Sequence, residues 1–125
     1  MANYDKYDPK VGGFRAPLAA DWSADDLKKV IGVGLNASGQ IVKGSGNTGM
    51  IGVLVLTEAL KAGDIVDPLV QGQVTAFNGN AGTVYYADPT TGVVNATSAA
   101  GKYRVGHTVH KDLLIVDVQK LPVPA

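Results

Sequence analysis

The chain has 125 residues, the length of one domain with one continuous core, and its 46% hydrophobic and 18% charged residues exclude a disordered chain. Eleven basic residues balance eleven acidic ones with no cationic cluster, so the electrostatic footprint of a nucleic-acid binder is missing. The absence of cysteine excludes disulfides, thiolate metal sites and a cysteine nucleophile, and the 6% aromatic content leaves Val, Ile, Leu and Ala to build the core.

Residues 1–20, "MANYDKYDPKVGGFRAPLAA", show neither period 2 nor period 3.6 and carry Pro9, Pro17 and the Gly12-Gly13 pair. The polar, charged start is not a signal peptide. The longest apolar run, Met50–Leu56, is too short to span a bilayer. The expectation is a soluble protein made and used without export. A solvated tail is one reading of residues 1–20. An extended arm is the other, because Tyr4, Tyr7, Val11, Phe14 and Leu18 are more apolar anchors than a tail needs, and such an arm can add backbone bonds to a neighbouring surface.

One short helix is expected over about 23–30. Ser23 is placed as N-cap, Asp26 three residues later as in a capping box, and Trp22 and Leu27 as a hydrophobic staple. Acidic residues lead and lysines follow, which suits the helix dipole.

After Val30 the pattern changes to period 2. Ile31, Val33 and Leu35 share one face of a strand whose other face is bare at Gly32 and Gly34. "NASG" is a turn, Gln40–Lys43 a short strand, and Ile51–Leu56 a strand apolar on both faces. "TEALKAGD" is a helical turn or a loop before Ile65-Val66. Val70–Phe77, Thr83–Tyr86, Val93–Ala96, Lys102–His110 and Leu113–Val118 complete the series, with "NGNAG" and "ADPTTG" as turns. Roughly eight short strands between glycine-rich turns predict a mainly β fold, a compact antiparallel barrel or sandwich. The prolines of "LPVPA" stop the last strand.

Two segments echo one another: "SGQIVKGSGNTGMIG" and "TGVVNATSAAGKYRVG". Their corresponding glycines are 13 residues apart (Gly39 to Gly52) and 14 apart (Gly92 to Gly106). Duplication is one origin, and the shared needs of tight turns, which we favour, the other.

Few residues carry chemistry. Gly44, Gly46 and Gly49 spell G-x-G-x-x-G, the spacing of a dinucleotide-binding turn. That site requires a helix after the last glycine, whereas Met50–Val55 favours a strand, so a loop between strands is expected. His107 and His110 are three apart and fall on opposite faces of a strand, which disfavours a shared metal. Asp64 and Asp67, and Asp112 and Asp117, read as turn formers and solvated positions. No G-x-S-x-G is present. No catalytic, cofactor-binding or metal-binding residue is assigned, and structural or binding work is expected.

Residues 50–118 carry a recurring pattern: Ala62-Gly63-Asp64-Ile65-Val66, a G-x-x-V-Y-Y-x-D-x-x-x-G-x-V hairpin from Gly82, and the apolar-Gly opening Val105-Gly106. This pattern resembles the small capsid decoration (cement) proteins of tailed bacteriophages. Tyr85 and Tyr86 point to opposite faces, one to the core and one free for an interface. The resemblance implies a β-barrel or β-tulip-like domain, trimeric at three-fold or quasi-three-fold sites on the capsid exterior, assembled in the host cytoplasm. It implies a protein that bridges major capsid proteins of the expanded shell and stabilises it, with no cofactor, nucleic acid or membrane as partner. It further implies that an arm at residues 1–20, with Tyr4, Tyr7, Val11, Phe14 and Leu18 as anchors, pairs with capsid segments. Residues 21–120 would form the domain and 121–125 a tail. A tail-tube subunit, a head-fibre base and a small ligand-binding β domain are the alternatives.

Overall fold

Alternating side chains and glycine-closed turns produce strands at nearly every place where period 2 occurs in the sequence. The computed structural model describes residues 15–119 and 121–124. In chain order its strands are β1 (Ala16–Pro17), β2 (Ile31–Leu35), β3 (Ile41–Lys43), β4 (Gly52–Leu54), β5 (Ile65–Val66), β6 (Gln71–Thr75), β7 (Val84–Ala87), β8 (Val94–Asn95), β9 (Tyr103–His110) and β10 (Leu113–Asp117). β1 and β5 form a ribbon, β3-β2-β4 a three-stranded sheet, and β6-β10-β9-β7-β8 a five-stranded sheet, each antiparallel. The fold is mainly β. Among the described residues the sheets do not close into the expected barrel. They stack as a sandwich, joined by single bridges at Ile31–Val93 and Val53–Leu69.

The three-stranded sheet is buried on both faces. Ile31, Val33, Ile41 and Leu54 pack with Ala16, Leu18, Trp22 and Val66 in one core. Val53 joins Val30, Met50, Tyr85, Ala87, Tyr103, Val105, Leu114 and Val116 in the other. The glycine face of β2, bare in the sequence, is therefore not open to solvent. A Cβ on Gly32 would run into the Met50 sulfur and meet Ala87 Cβ at 2.9 Å, and one on Gly34 would strike the Ser45 carbonyl. The glycines let a second layer close onto β2.

Residues 16–18, assigned to the arm by sequence, belong to the domain. Ala16 pairs with Val66, the Leu18 N–H donates to the Asp64 carbonyl at 2.9 Å, and the Leu18 side chain has no exposed surface. Leu18 is thus a core residue of the domain. Tyr4, Tyr7, Val11 and Phe14 lie outside the described residues.

The expected helix is a single 3-10 turn, Ala24–Asp26. The expected capping box is present, with the Ser23 N–H donating to the Asp26 carboxylate at 3.4 Å. The turn stops because both flanks are committed elsewhere. Trp22 is buried and bonds backbone to backbone with Leu60, while Lys28 turns to φ 60° and gives its N–H to the Leu56 carbonyl at 2.8 Å. Val30 and Ile31 can then enter β2 from the core side.

The sequence echo is a topological one. β7 lies between β8 and β9 as β2 lies between β3 and β4. Val33 pairs with Gly52 and Tyr85 with Gly106, while Leu35 pairs with Ile41 and Ala87 with Val94. Gly52 opens β4, whereas Gly106, expected to open a strand, lies within β9; at both a Cβ would press on a carbonyl of a neighbouring segment, that of Leu69 at Gly52 and that of Ile115 at Gly106. The hairpins share a packing requirement as well as turns.

Because Leu18 is fully enclosed, Leu18→Ala should lower unfolding free energy by about 2–5 kcal/mol. Denaturant titration followed by Trp22 fluorescence measures this. A loss below about 0.5 kcal/mol, typical of surface changes, would return residue 18 to the arm.

Candidate interaction surface

The G-x-G-x-x-G loop is a packing device. Gly44, Gly46 and Gly49 have φ of 86°, 55° and 81°, and they connect β3 to β4 with no helix following. The N–H groups a phosphate would need are given inward: Gly44 to the Gly32 carbonyl, Ser45 to Pro89 and Asn47 to Leu35, each at 2.8 Å. A Cβ on Gly44 would strike the Pro89 carbonyl. The loop thus locks the three-stranded sheet to the β7–β8 turn.

The acidic residues hold turns and ends of elements. Asp64 accepts the Lys61 N–H at 2.8 Å, closing the Ala62-Gly63-Asp64 step. Asp88 accepts the N–H groups of Thr90 at 2.8 Å and Thr91 at 2.9 Å, closing the "DPTTG" turn. Those two amides, Thr91 first, hold the Asp88 carboxyl below its ordinary value of 3.8. Asp26 is likewise lowered, chiefly by the hydrogen bond from Lys43 Nζ at 2.7 Å. Lys43 also lies 5.1 Å from the centre of the Trp22 ring. His107 and His110 are both exposed, and His110 Nδ1 accepts the Asp112 N–H at 3.2 Å. Among the described residues no group of three His, Cys, Asp or Glu side chains is placed to hold a metal.

Of the paired tyrosines, Tyr85 enters the core, edge-on to Phe77 with ring centres 4.8 Å apart, and its hydroxyl accepts the Asn80 N–H at 2.9 Å. Tyr86, on the opposite face, is half-buried.

What remains suited to recognition is a strand edge and a cleft. β6 ends the five-stranded sheet, paired with β10 on one side, and among the described residues nothing pairs with its outer side. Beside it lies a cleft of about 490 Å³ between the β4 and β6 ends, lined by Val53, Val55, Leu69, Val74 and Thr75 with Lys28 and Asp67 at its polar margin. Val53 and Leu69 exchange two backbone bonds, of 2.9 and 2.8 Å. The pairing stops there, and Val55 and Asp67, next in that register, line the cleft instead. Asp67 accepts a hydrogen bond from Arg15 Nε at 2.9 Å, which sets Arg15 at the polar margin of this cleft. Ile65, Val93 and Val109 are exposed apolar residues elsewhere on the sheets and their connections.

Sequence reasoning missed both features. One signal for the edge was present: "QGQVT" has no charge and no proline, the usual protections of an edge strand. The cleft had none, because its walls come from segments about twenty residues apart.

No protein-family model and no curated protein matches the chain. Among solved structures, the chain is similar to a protein of Mycobacterium phage Patience, with a TM-score of 0.82 and 21% sequence identity over 98% of this chain and 97% of that one. The two have the same fold over nearly their whole lengths.

Two predictions follow from the turns. Gly44→Ala should lower stability by about 1–3 kcal/mol, combining a left-handed backbone with overpacking against Pro89, and a phosphate titration of the wild type should show no saturable binding. An unchanged melting temperature or saturable phosphate binding would contradict this role. For Asp88, the contribution of a lowered carboxyl is present above its ordinary value and lost as pH falls through the folded value. Stability should therefore decline on acidification below about pH 4, and less steeply in Asp88→Asn, which keeps an acceptor but does not titrate. Parallel pH–melting curves for the two proteins would contradict it.

Proposed function

We propose that this chain is a bacteriophage virion protein that decorates the expanded capsid and stabilises it. The observation that carries the reading is the end-to-end likeness of fold to a mycobacteriophage protein. It is joined by the hairpin pattern that resembles capsid cement proteins, whose Asp64 and Asp88 turns in this chain close by side-chain-to-backbone bonds.

The mechanism needs no bond chemistry. A protein that binds only the expanded lattice lowers the free energy of that state by linkage, and many copies act together on one shell. In this reading the protein bridges adjacent major capsid proteins, as a trimer at three-fold or quasi-three-fold sites on the capsid exterior, and is added in the host cytoplasm. The domain offers a β platform with exposed apolar residues at Ile65, Val93 and Val109. Tyr4, Tyr7, Val11 and Phe14 are the proposed capsid anchors. Leu18 instead ties the arm's base to the core. A cut after residue 20 would therefore remove core residues.

Sedimentation with capsids of the source virus tests the reading. Saturable binding to expanded shells, and none to unexpanded procapsids, is expected. Equal binding to both, or to neither, would overturn it, and a hexameric ring in solution would indicate a tail-tube component.

A further inference from the structure

We propose that Asn78 is a site of spontaneous deamidation, held back in the folded domain by the bond from the Gly79 N–H to the Lys111 carbonyl and released when the turn between β6 and β7 opens. The inference goes beyond the capsid reading, since it concerns the covalent chemistry of the chain itself.

Two separate demands of the turn create the site. Asn78 has a left-handed backbone, φ 60°, which asparagine adopts more readily than most residues that carry a side chain. Position 79 requires glycine, because a Cβ there would run into the Tyr85 hydroxyl and the Phe77 ring. Together they place Asn-Gly in a turn where Asn78 is exposed. Asparagine is a thermolabile residue, and Asn78 is the one asparagine of the chain followed by glycine. The others precede Tyr4, Ala37, Thr48, Ala81 and Ala96, whose side chains crowd ring closure. Glycine removes that obstacle.

Water is the only co-reactant. The Gly79 nitrogen forms a bond to the Asn78 side-chain carbonyl carbon and loses its proton to water. The bond from that carbon to the amide nitrogen breaks, and the nitrogen takes a proton from water and leaves as ammonia. The succinimide so formed takes up water at either carbonyl, which gives aspartate or isoaspartate.

In the folded domain the attacking nitrogen is engaged. The Gly79 N–H donates to the Lys111 carbonyl at 2.7 Å and the Phe77 N–H to the Asp112 carbonyl at 3.2 Å, so both neighbours of Asn78 are bonded to the turn between β9 and β10. Just beyond, the Asn80 N–H donates to the Tyr85 hydroxyl at 2.9 Å, and the Asn80 carbonyl accepts from the Thr108 hydroxyl. Ring closure requires Gly79 to leave Lys111 and turn toward the Asn78 side chain. The rate therefore follows the fraction of molecules in which this turn is open. Isoaspartate adds a carbon to the main chain before Gly79 and displaces it from Lys111. Ala76, in the same turn, lines the cleft beside β6, so conversion alters one wall of the candidate interaction surface.

Peptide mass mapping of the full-length protein, incubated at mildly alkaline pH with and without denaturing guanidinium chloride, tests the site. In the unfolded chain Asn78 should convert faster than every other asparagine, and a rate no greater than theirs would overturn the chemistry. In the folded protein it should convert at least about tenfold more slowly than in the unfolded chain. Equal rates would remove the restraint assigned to Lys111. Tyr85→Phe, which takes away the acceptor of the Asn80 N–H, should speed conversion in the folded protein about fivefold and leave the unfolded rate unchanged. A second measurement uses the wild type alone: guanidinium chloride added below the unfolding transition should raise Gly79 amide exchange and Asn78 conversion by the same factor. Conversion that stays constant while the amide opens would sink the idea. No readout involves a capsid, so a failure here is distinct from a failure of the decoration reading.

Discussion

The structure depends on burying one three-stranded sheet on both faces. β2 runs at its centre with Ile31 and Val33 toward one core and Gly32 and Gly34 toward the other. A sheet with two buried faces must be thin enough on one of them for the next layer to approach. At Gly32 that layer is Met50 and Ala87, and at Gly34 it is the backbone of Ser45 and Gly49. Side chains here would hold the five-stranded sheet away and divide the molecule. With glycine the contact is close, and a chain poor in aromatics gains from two apolar clusters instead of one.

Around that sheet the turns set register, and the polar residues are spent on them. Asn36 accepts the N–H groups of Ser38 and Gln40, Asp64 that of Lys61, and Asp88 those of Thr90 and Thr91. Buried Thr108 donates its hydroxyl to the Asn80 carbonyl and accepts the Thr83 N–H at 3.0 Å. Among the described residues no buried side-chain polar atom lacks a partner. Acids and amides used in this way are engaged with backbone.

The G-x-G-x-x-G spacing shows how a motif takes its meaning from its surroundings. Backbone N–H groups that face outward at a helix N-terminus can bind an anion. In this fold the Gly44, Ser45 and Asn47 amides face carbonyls of Gly32, Pro89 and Leu35, and the glycines serve close approach of one backbone to another. The feature best suited to recognition carries no motif: an uncharged edge strand beside an apolar cleft. The end-to-end likeness to a phage protein at low identity fits a fold kept by turns and packing more than by particular side chains.

The sequence by itself determined the strands and most of their turns, because side-chain alternation and the backbone demands of Gly, Asn and Asp are local. β2, β3, β6, β7, β9 and β10 lie within a residue or two of their sequence positions. It also carried the echo between the β2–β4 and β7–β9 hairpins. Only the tertiary structure decided the rest. Leu18 looked like an arm residue, since nothing local distinguishes an extended docking segment from β1, whose partner β5 lies almost fifty residues on. The Ser23 helix stopped at one turn because Trp22 and Lys28 bond to Leu60 and Leu56. The stacking of open sheets, the second buried face of β2 and the cleft beside β6 arise from pairings between distant segments. Period and turn chemistry specify how each strand begins and ends, whereas long-range burial specifies which edges meet and which remain open.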